Sequence, residues 1–128
     1  MESFKRLGLS KPILQVISEL GFEKPSKIQE LAIPQIIHGN RDFIGLAQTG
    51  TGKTAAFGWP LLERIDPSLD YTQGLILAPT RELGQQIAGQ IEMFSKFMDK
   101  INVLAVYGGA SIVDQIRALR KAQHVIIA

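Results

Sequence analysis

The sequence contains no cysteine, only two histidines and a single tryptophan. Without cysteine there is no disulfide framework and no thiolate metal site. His38 and His124 lie far apart with no carboxylate pattern near either, so they read as structural or solvent-exposed rather than as ligands. Neither sign of charge dominates: 14 Lys and Arg stand against 12 Asp and Glu, a net charge of +2. Composition therefore carries no electrostatic footprint of a nucleic-acid binder, and any polynucleotide role has to come from motifs. The opening Met1-Glu2-Ser3-Phe4-Lys5-Arg6 lacks the apolar core of a signal peptide, and no apolar run approaches membrane-spanning length. A soluble, cytoplasmic protein with no membrane partner is expected. Internal repeats, low-complexity tracts and long linkers are also missing. What remains is 128 residues with 45% hydrophobic content, enough for the core of about one domain.

The most specific feature is Ala47-Gln48-Thr49-Gly50-Thr51-Gly52-Lys53-Thr54. Glycines allow backbone N–H groups to converge on phosphate oxygens, Lys53 reaches the outer phosphates, and the Thr54 hydroxyl can ligate Mg²⁺. Ala47 stands where the general Gly-x-x-x-x-Gly-Lys-Thr pattern places its first glycine. The flanks are nevertheless in order: Asp42–Ala47 is an apolar run of strand length, and helical spacing begins at Lys53 and runs through Leu61, Leu62 and Ile65. The bland alternative is a glycine-rich turn with an incidental lysine. Strand, glycine loop and helix in the required sequence favour a nucleotide.

Upstream, Ser10 to Leu20 carries Ile13, Leu14, Ile17 and Leu20 at helical spacing, with Ser10 as cap and Gly21 as stop. A second helix is expected from Ser26 to about His38, bent or broken near Pro34 and ended by Gly39-Asn40. Beyond it, strands are expected at Asp42–Ala47, Gly74–Ala78, Ile101–Val106 and His124–Ala128. The clearest helix between them is Arg81–Met98, whose Leu83, Ile87, Ile91, Phe94 and Met98 form one stripe. Repeated βα units imply an α/β fold with a mostly parallel sheet, helices on both faces and ligands at the strand carboxyl ends. Those ends hold Gln48–Gly52, Pro79–Glu82 and Gly108–Ala110.

Gly21-Phe22-Glu23-Lys24-Pro25-Ser26-Lys27-Ile28-Gln29 resembles the Q motif of DEAD-box RNA helicases, and Phe4 stands upstream where that family keeps an isolated aromatic. Ala47–Thr54 is similar to the family's motif I, in which alanine at the first position is usual. Pro79-Thr80-Arg81-Glu82-Leu83 is similar to motif Ia, and Tyr107-Gly108-Gly109 to the GG loop. Ser26 and Lys27 replace the Thr-Pro often found before Ile-Gln, a departure that leaves the adenine-reading groups in place. The ordered set covers essentially the whole chain.

The resemblance implies a RecA-like P-loop domain, truncated, with a Q-motif region over residues 1–40 and a P-loop α/β region over 41–128. It implies ATP with Mg²⁺ as cofactor, held by Phe4, Phe22, Lys24, Pro25, Gln29 and the loop Ala47, Gln48, Thr49, Gly50, Thr51, Gly52, Lys53 and Thr54. Lys53 and Thr54 are then the catalytic members. Adenine offers a donor at N6 and an acceptor at N7, and one glutamine amide satisfies both, so Gln29 can select ATP. An aromatic such as Phe22 can pack on the base. The competing reading is that Ser26-x-x-Gln29 merely caps a helix. With the phosphate loop present, adenine recognition leads.

Pro79, Thr80, Arg81, Gly108 and Gly109 are what the resemblance assigns to RNA, through backbone phosphate contacts that read no sequence. Taken singly, Arg81-Glu82 is equally an exposed ion pair and Gly108-Gly109 an ordinary turn. The partner implied is single-stranded or short duplex RNA. The segments holding the paired acids and the second RecA-like domain in cis are not within these residues, so phosphoryl transfer is not expected from them alone. Alternatives are a stand-alone, non-catalytic nucleotide- or RNA-binding module, or a DNA helicase or translocase, which the Q motif disfavours. The resemblance implies two further strands between Asp42–Ala47 and Gly74–Ala78, and without them the sheet would have a gap. One of three outcomes is then expected: completion by another segment, re-pairing of strands, or self-association.

Overall fold

The computed structural model describes residues 1–128 as two compact units. Unit 1 comprises Met1–Arg64 with Phe94–Met98, and unit 2 comprises Ile65–Met93 with Asp99–Ala128.

Unit 1 is built on helices α1 (Glu2–Lys5), α2 (Lys11–Glu19), α3 (Lys27–His38) and α4 (Lys53–Glu63). Ser10 stands at the N-cap of α2, with Pro12 in the first turn, where a missing N–H costs nothing. The helix ends before Gly21, whose φ of 76° suits only glycine without strain. α3 runs unbroken across Pro34 to its C-cap at Gly39. The expected break is absent because proline removes a single backbone bond, while Ala32 and Ile33 are buried and hold the helix in place. α4 likewise continues across the buried Pro60. The core of the unit is centred on Trp59, fully buried, with Phe4, Phe22 and Phe94 meeting it edge-on at centroid distances of 5.8, 5.6 and 5.5 Å. Ser10 N–H donates to Glu63 Oε1 at 2.7 Å, and Arg64 Nη1 to the Ile36 carbonyl at 3.3 Å.

Unit 2 holds a parallel sheet of β1 (Gly74–Ile76), β2 (Val103–Ala105) and β3 (Val125–Ile127) in the order β1-β3-β2. The register aligns Ile76, Ile127 and Ala105 on one face and Leu75, Ile126 and Leu104 on the other. Two helices complete it, α5 (Arg81–Phe94, its last residue in unit 1) and α6 (Ile112–Leu119). α5 covers the first face: a Cβ added at Gly84 would stand 3.6 Å from the Ile127 side chain, and Ile87 is buried. Its expected stripe holds at Ile87, Ile91 and Phe94, but the helix stops at Phe94 rather than Met98, and Leu83 is 37% exposed. On the opposite face Leu75 is 63% exposed, as is Leu77 beyond it at 75%. His124, 3% exposed, is structural: its Nδ1 accepts the Asn102 N–H at 2.9 Å, tying the approaches to β2 and β3 together.

One expected strand is not formed. Asp42–Ala47 has no strand partner, and Ile44 and Leu46 are 88% and 91% exposed. An apolar run becomes a strand only when a neighbouring backbone takes its N–H and C=O groups. Neither neighbour relationship in the sheet involves this segment, so β1 is not joined directly to it.

Candidate functional site

The phosphate-loop site lies in unit 1. Gly50 and Gly52 take φ values of 79° and 78°, the left-handed conformation that glycine alone enters readily. Two internal bonds shape the loop: Thr51 Oγ1 donates to the Gln48 carbonyl at 2.6 Å, and Lys53 Nζ donates to the Ala47 carbonyl at 2.9 Å. Lys53 is thus folded back across its own loop. The first turn of α4 has neither a capping side chain nor an acidic residue, so its free N–H groups face no internal anion. A Cβ at Gly50 would meet nothing within 4 Å, which leaves the loop tip open. An uncapped helix start, an open glycine loop and a lysine held only by an exposed carbonyl fit a polyphosphate. Thr54, in the first turn, carries the hydroxyl that would face its Mg²⁺.

Gln29 joins this loop to the segment before α3. Its Oε1 accepts the Ser26 N–H at 3.0 Å, Ser26 Oγ accepts the Gln29 N–H at 3.4 Å, and its Nε2 donates to the Gly52 carbonyl at 3.2 Å. The capping box is therefore formed. It does not use up the amide: Oε1 retains a lone pair and Nε2 a second proton, the acceptor and donor that adenine requires. With 2% of its surface exposed, Gln29 is principally a latch between helix cap and phosphate loop in this state.

The other Q-motif residues divide by exposure. Phe22 is 39% exposed, with its inner side against Trp59, and offers a partly open ring to a base. Lys24 is exposed and Pro25 buried. Phe4 has no exposed surface at all, so its place is behind the site, against Trp59, and not against a base.

Unit 2 carries a second cluster. Thr80 Oγ1 accepts the Leu83 N–H at 3.2 Å and so caps α5, which leaves its hydroxyl proton free to donate. The Arg81 guanidinium lies 5.9 Å from the Tyr107 ring centroid, and a Cβ at Gly109 would stand 2.8 Å from Arg81 Nη1. Motif Ia and the GG loop therefore meet at Arg81 and Gly109. The Arg81–Glu82 pair, at 3.8 Å and open to solvent, contributes little. Pro79, Thr80, Gly108 and Gly109 are all exposed. Sequence reasoning passed over Gln115, on α6, whose side chain bonds both backbone groups of Tyr107; a glutamine on a helix carries no pattern that announces this.

A glycine loop leading into an uncapped helix, tied to a glutamine capping box, has the chemistry of a phosphate-accepting site in an α/β protein. Residues 26–128 match the model of the DEAD/DEAH box helicase family. The chain is 50% identical over 125 residues to the ATP-dependent RNA helicase DeaD of Escherichia coli (strain K12), covering 98% of this chain and 20% of that protein. It is 46% identical over 127 residues to the DEAD-box ATP-dependent RNA helicase CshA of Bacillus cereus, covering 99% and 24%. Among solved structures, a DEAD box protein from the hyperthermophile Methanococcus jannaschii superposes with a TM-score of 0.90 at 39% identity, over 97% of this chain and 33% of that one. The RNA-helicase Prp28 from Chaetomium thermophilum bound to ADP gives 0.87 at 39% identity, over 100% and 32%. The chain belongs to the DEAD/DEAH box helicase family, with the RecA-like P-loop fold of its neighbours. It spans about a fifth to a quarter of the length of these curated relatives.

Proposed function

We propose that the chain binds ATP with Mg²⁺ and the backbone of single-stranded or short duplex RNA, as the amino-terminal part of a cytoplasmic ATP-dependent RNA helicase. A second RecA-like domain in cis would complete the enzyme. The observation that carries this reading is the Gln29 latch: one buried amide bonds both the Q-motif cap and the phosphate loop. A base bound at Gln29 and a phosphate bound at Gly50–Thr54 would be sensed by the same side chain.

When bound, Mg²⁺ with ATP would supply charge neutralisation and a hydrolysable phosphoanhydride. The residues do the rest. Loop N–H groups and the start of α4 receive phosphate oxygens, and Lys53 exchanges the Ala47 carbonyl for phosphate. Thr54 would hold the metal through its hydroxyl. Arg81, Thr80 and the Gly108-Gly109 turn offer donors to RNA phosphates, which suits binding without sequence readout. Titrating ATP and GTP against the wild type and Gln29→Ala is the direct test. Preference for ATP that is lost in the variant supports adenine reading; equal affinity of the wild type for both nucleotides leaves Gln29 with its capping role alone.

A further inference from the structure

We infer that Gln115 is a positioning residue for the RNA-phosphate site, acting through the backbone of Tyr107. The inference rests on reading Arg81, Gly108 and Gly109 as that site. Tyr107 N–H donates to Gln115 Oε1 at 3.0 Å, and Gln115 Nε2 donates to the Tyr107 carbonyl at 3.0 Å. Both bonds are partly buried.

The geometry explains why a side chain is needed. Val106 N–H donates to the Ile127 carbonyl at 2.8 Å, so it points toward β3. Along an extended chain the next residue's N–H and C=O both point the other way. Those groups of Tyr107 therefore face the open edge beyond β2, where no strand pairs. The Gln115 amide presents one acceptor and one donor in the spacing of a peptide group, and so stands in for a neighbouring strand at this one position.

Fixing the Tyr107 backbone fixes two things at once. Its ring lies under the Arg81 guanidinium, and its carbonyl leads directly into Gly108 and Gly109. Gly109 turns with φ of 84° right against Arg81 Nη1. Release of Tyr107 would let the glycine turn and the guanidinium drift apart, and their donors would no longer be held side by side. α6 itself is anchored at its start by Ser111, whose Oγ accepts the Asp114 N–H at 3.3 Å. The chain contains a matched comparison: Gln73 clamps the backbone of Asp66 in the same manner, N–H to Oε1 at 2.8 Å and Nε2 to the carbonyl at 2.8 Å, in a turn that holds no proposed RNA residue.

The test measures affinity of the full chain for a labelled oligouridylate and, separately, for ATP. Gln115→Ala and Gln115→Met should each weaken RNA binding by about tenfold, the scale of two lost hydrogen bonds. ATP affinity should stay within about twofold, and the Tyr107 amide should exchange faster. Arg81→Ala should weaken RNA binding comparably, and the double variant should be little weaker than Arg81→Ala alone, because one residue acts through placement of the other. Gln73→Ala should leave RNA affinity unchanged. Wild-type RNA affinity in Gln115→Met overturns the inference, as does a loss in Gln73→Ala equal to that in Gln115→Ala, or a parallel fall in ATP affinity. If Arg81→Ala binds RNA like the wild type, the RNA reading itself falls, and the role of Gln115 with it.

Discussion

Gln29 Nε2 donates to the Gly52 carbonyl across 3.2 Å, linking residues 23 apart in sequence through one buried amide. The link makes Gly52 irreplaceable on two counts. Its φ is 78°, and an added Cβ would fall on the Gln29 amide nitrogen, which cannot move aside without giving up its bonds. Gly52→Ala should therefore lower stability by about 2 kcal/mol, part from left-handed strain and part from a broken latch. It should also weaken ATP binding. Gly50→Ala is the comparison: the φ of 79° is shared, but no atom stands in the way. Equal losses of stability in the two variants, read by thermal unfolding, would count against the latch.

Lys53 Nζ rests on the Ala47 carbonyl at an exposed site, so removing it costs the fold little. A charge-assisted bond to phosphate contributes roughly 1.5–3 kcal/mol. Lys53→Ala should weaken ATP binding about 10- to 100-fold with an unchanged unfolding temperature. Calorimetric titration with ATP, beside a melting curve, checks both halves.

Much of this was legible in the sequence because it is local. The periodicity of Ile13, Ile17 and of Ile87, Ile91 marks helix faces, and the Gly50–Thr54 loop announces itself by residue type. Asp42–Ala47 misled, since its composition suits a strand but pairing requires a backbone that local sequence cannot supply. Phe4 was legible as a motif position but not as a core residue, because burial against Trp59 depends on how α1 meets α4. Gln115 and the Gln29–Gly52 bond were invisible for the same reason: each depends on tertiary approach, not on a neighbour in sequence.

The Asp66 carboxyl lies below its ordinary 3.8 because Ser68 donates to it, first by its hydroxyl at 2.6 Å and then by its backbone N–H at 2.9 Å. A folded value depressed below the unfolded one contributes stability that is present above the unfolded value and lost as pH falls through the folded one. Ser68→Ala should raise the Asp66 carboxyl toward 3.8, as followed by carboxyl-carbon NMR. An unmoved titration would show that the hydroxyl bond does not persist in solution.

Phosphoryl transfer requires a positioned nucleophile as well as a phosphate cradle. These residues contain no Asp-Glu-Ala-Asp run, and Glu82 lies in the first turn of α5, paired with Arg81 at 3.8 Å. These 128 residues should bind ATP without releasing phosphate, with or without RNA. Release clearly above that of Lys53→Ala would refute this.

β1 pairs with β3 on one side, and its other edge is open. Leu75 and Leu77 stand exposed on the uncovered face there, and Ile44 and Leu46 lie bare on an extended segment with no strand partner. An open strand edge with exposed leucines is a template for another chain, and apolar patches of this kind drive association unless charge interrupts them. The 128 residues by themselves should therefore associate as concentration rises. Leu75→Lys and Leu77→Lys should suppress association, because a lysine on a strand edge opposes pairing while its stem still covers apolar surface. Sedimentation velocity across a concentration series reads the outcome. A monomer at every concentration would mean that the open edge and bare leucines are protected in solution, and the lysine variants would then change nothing.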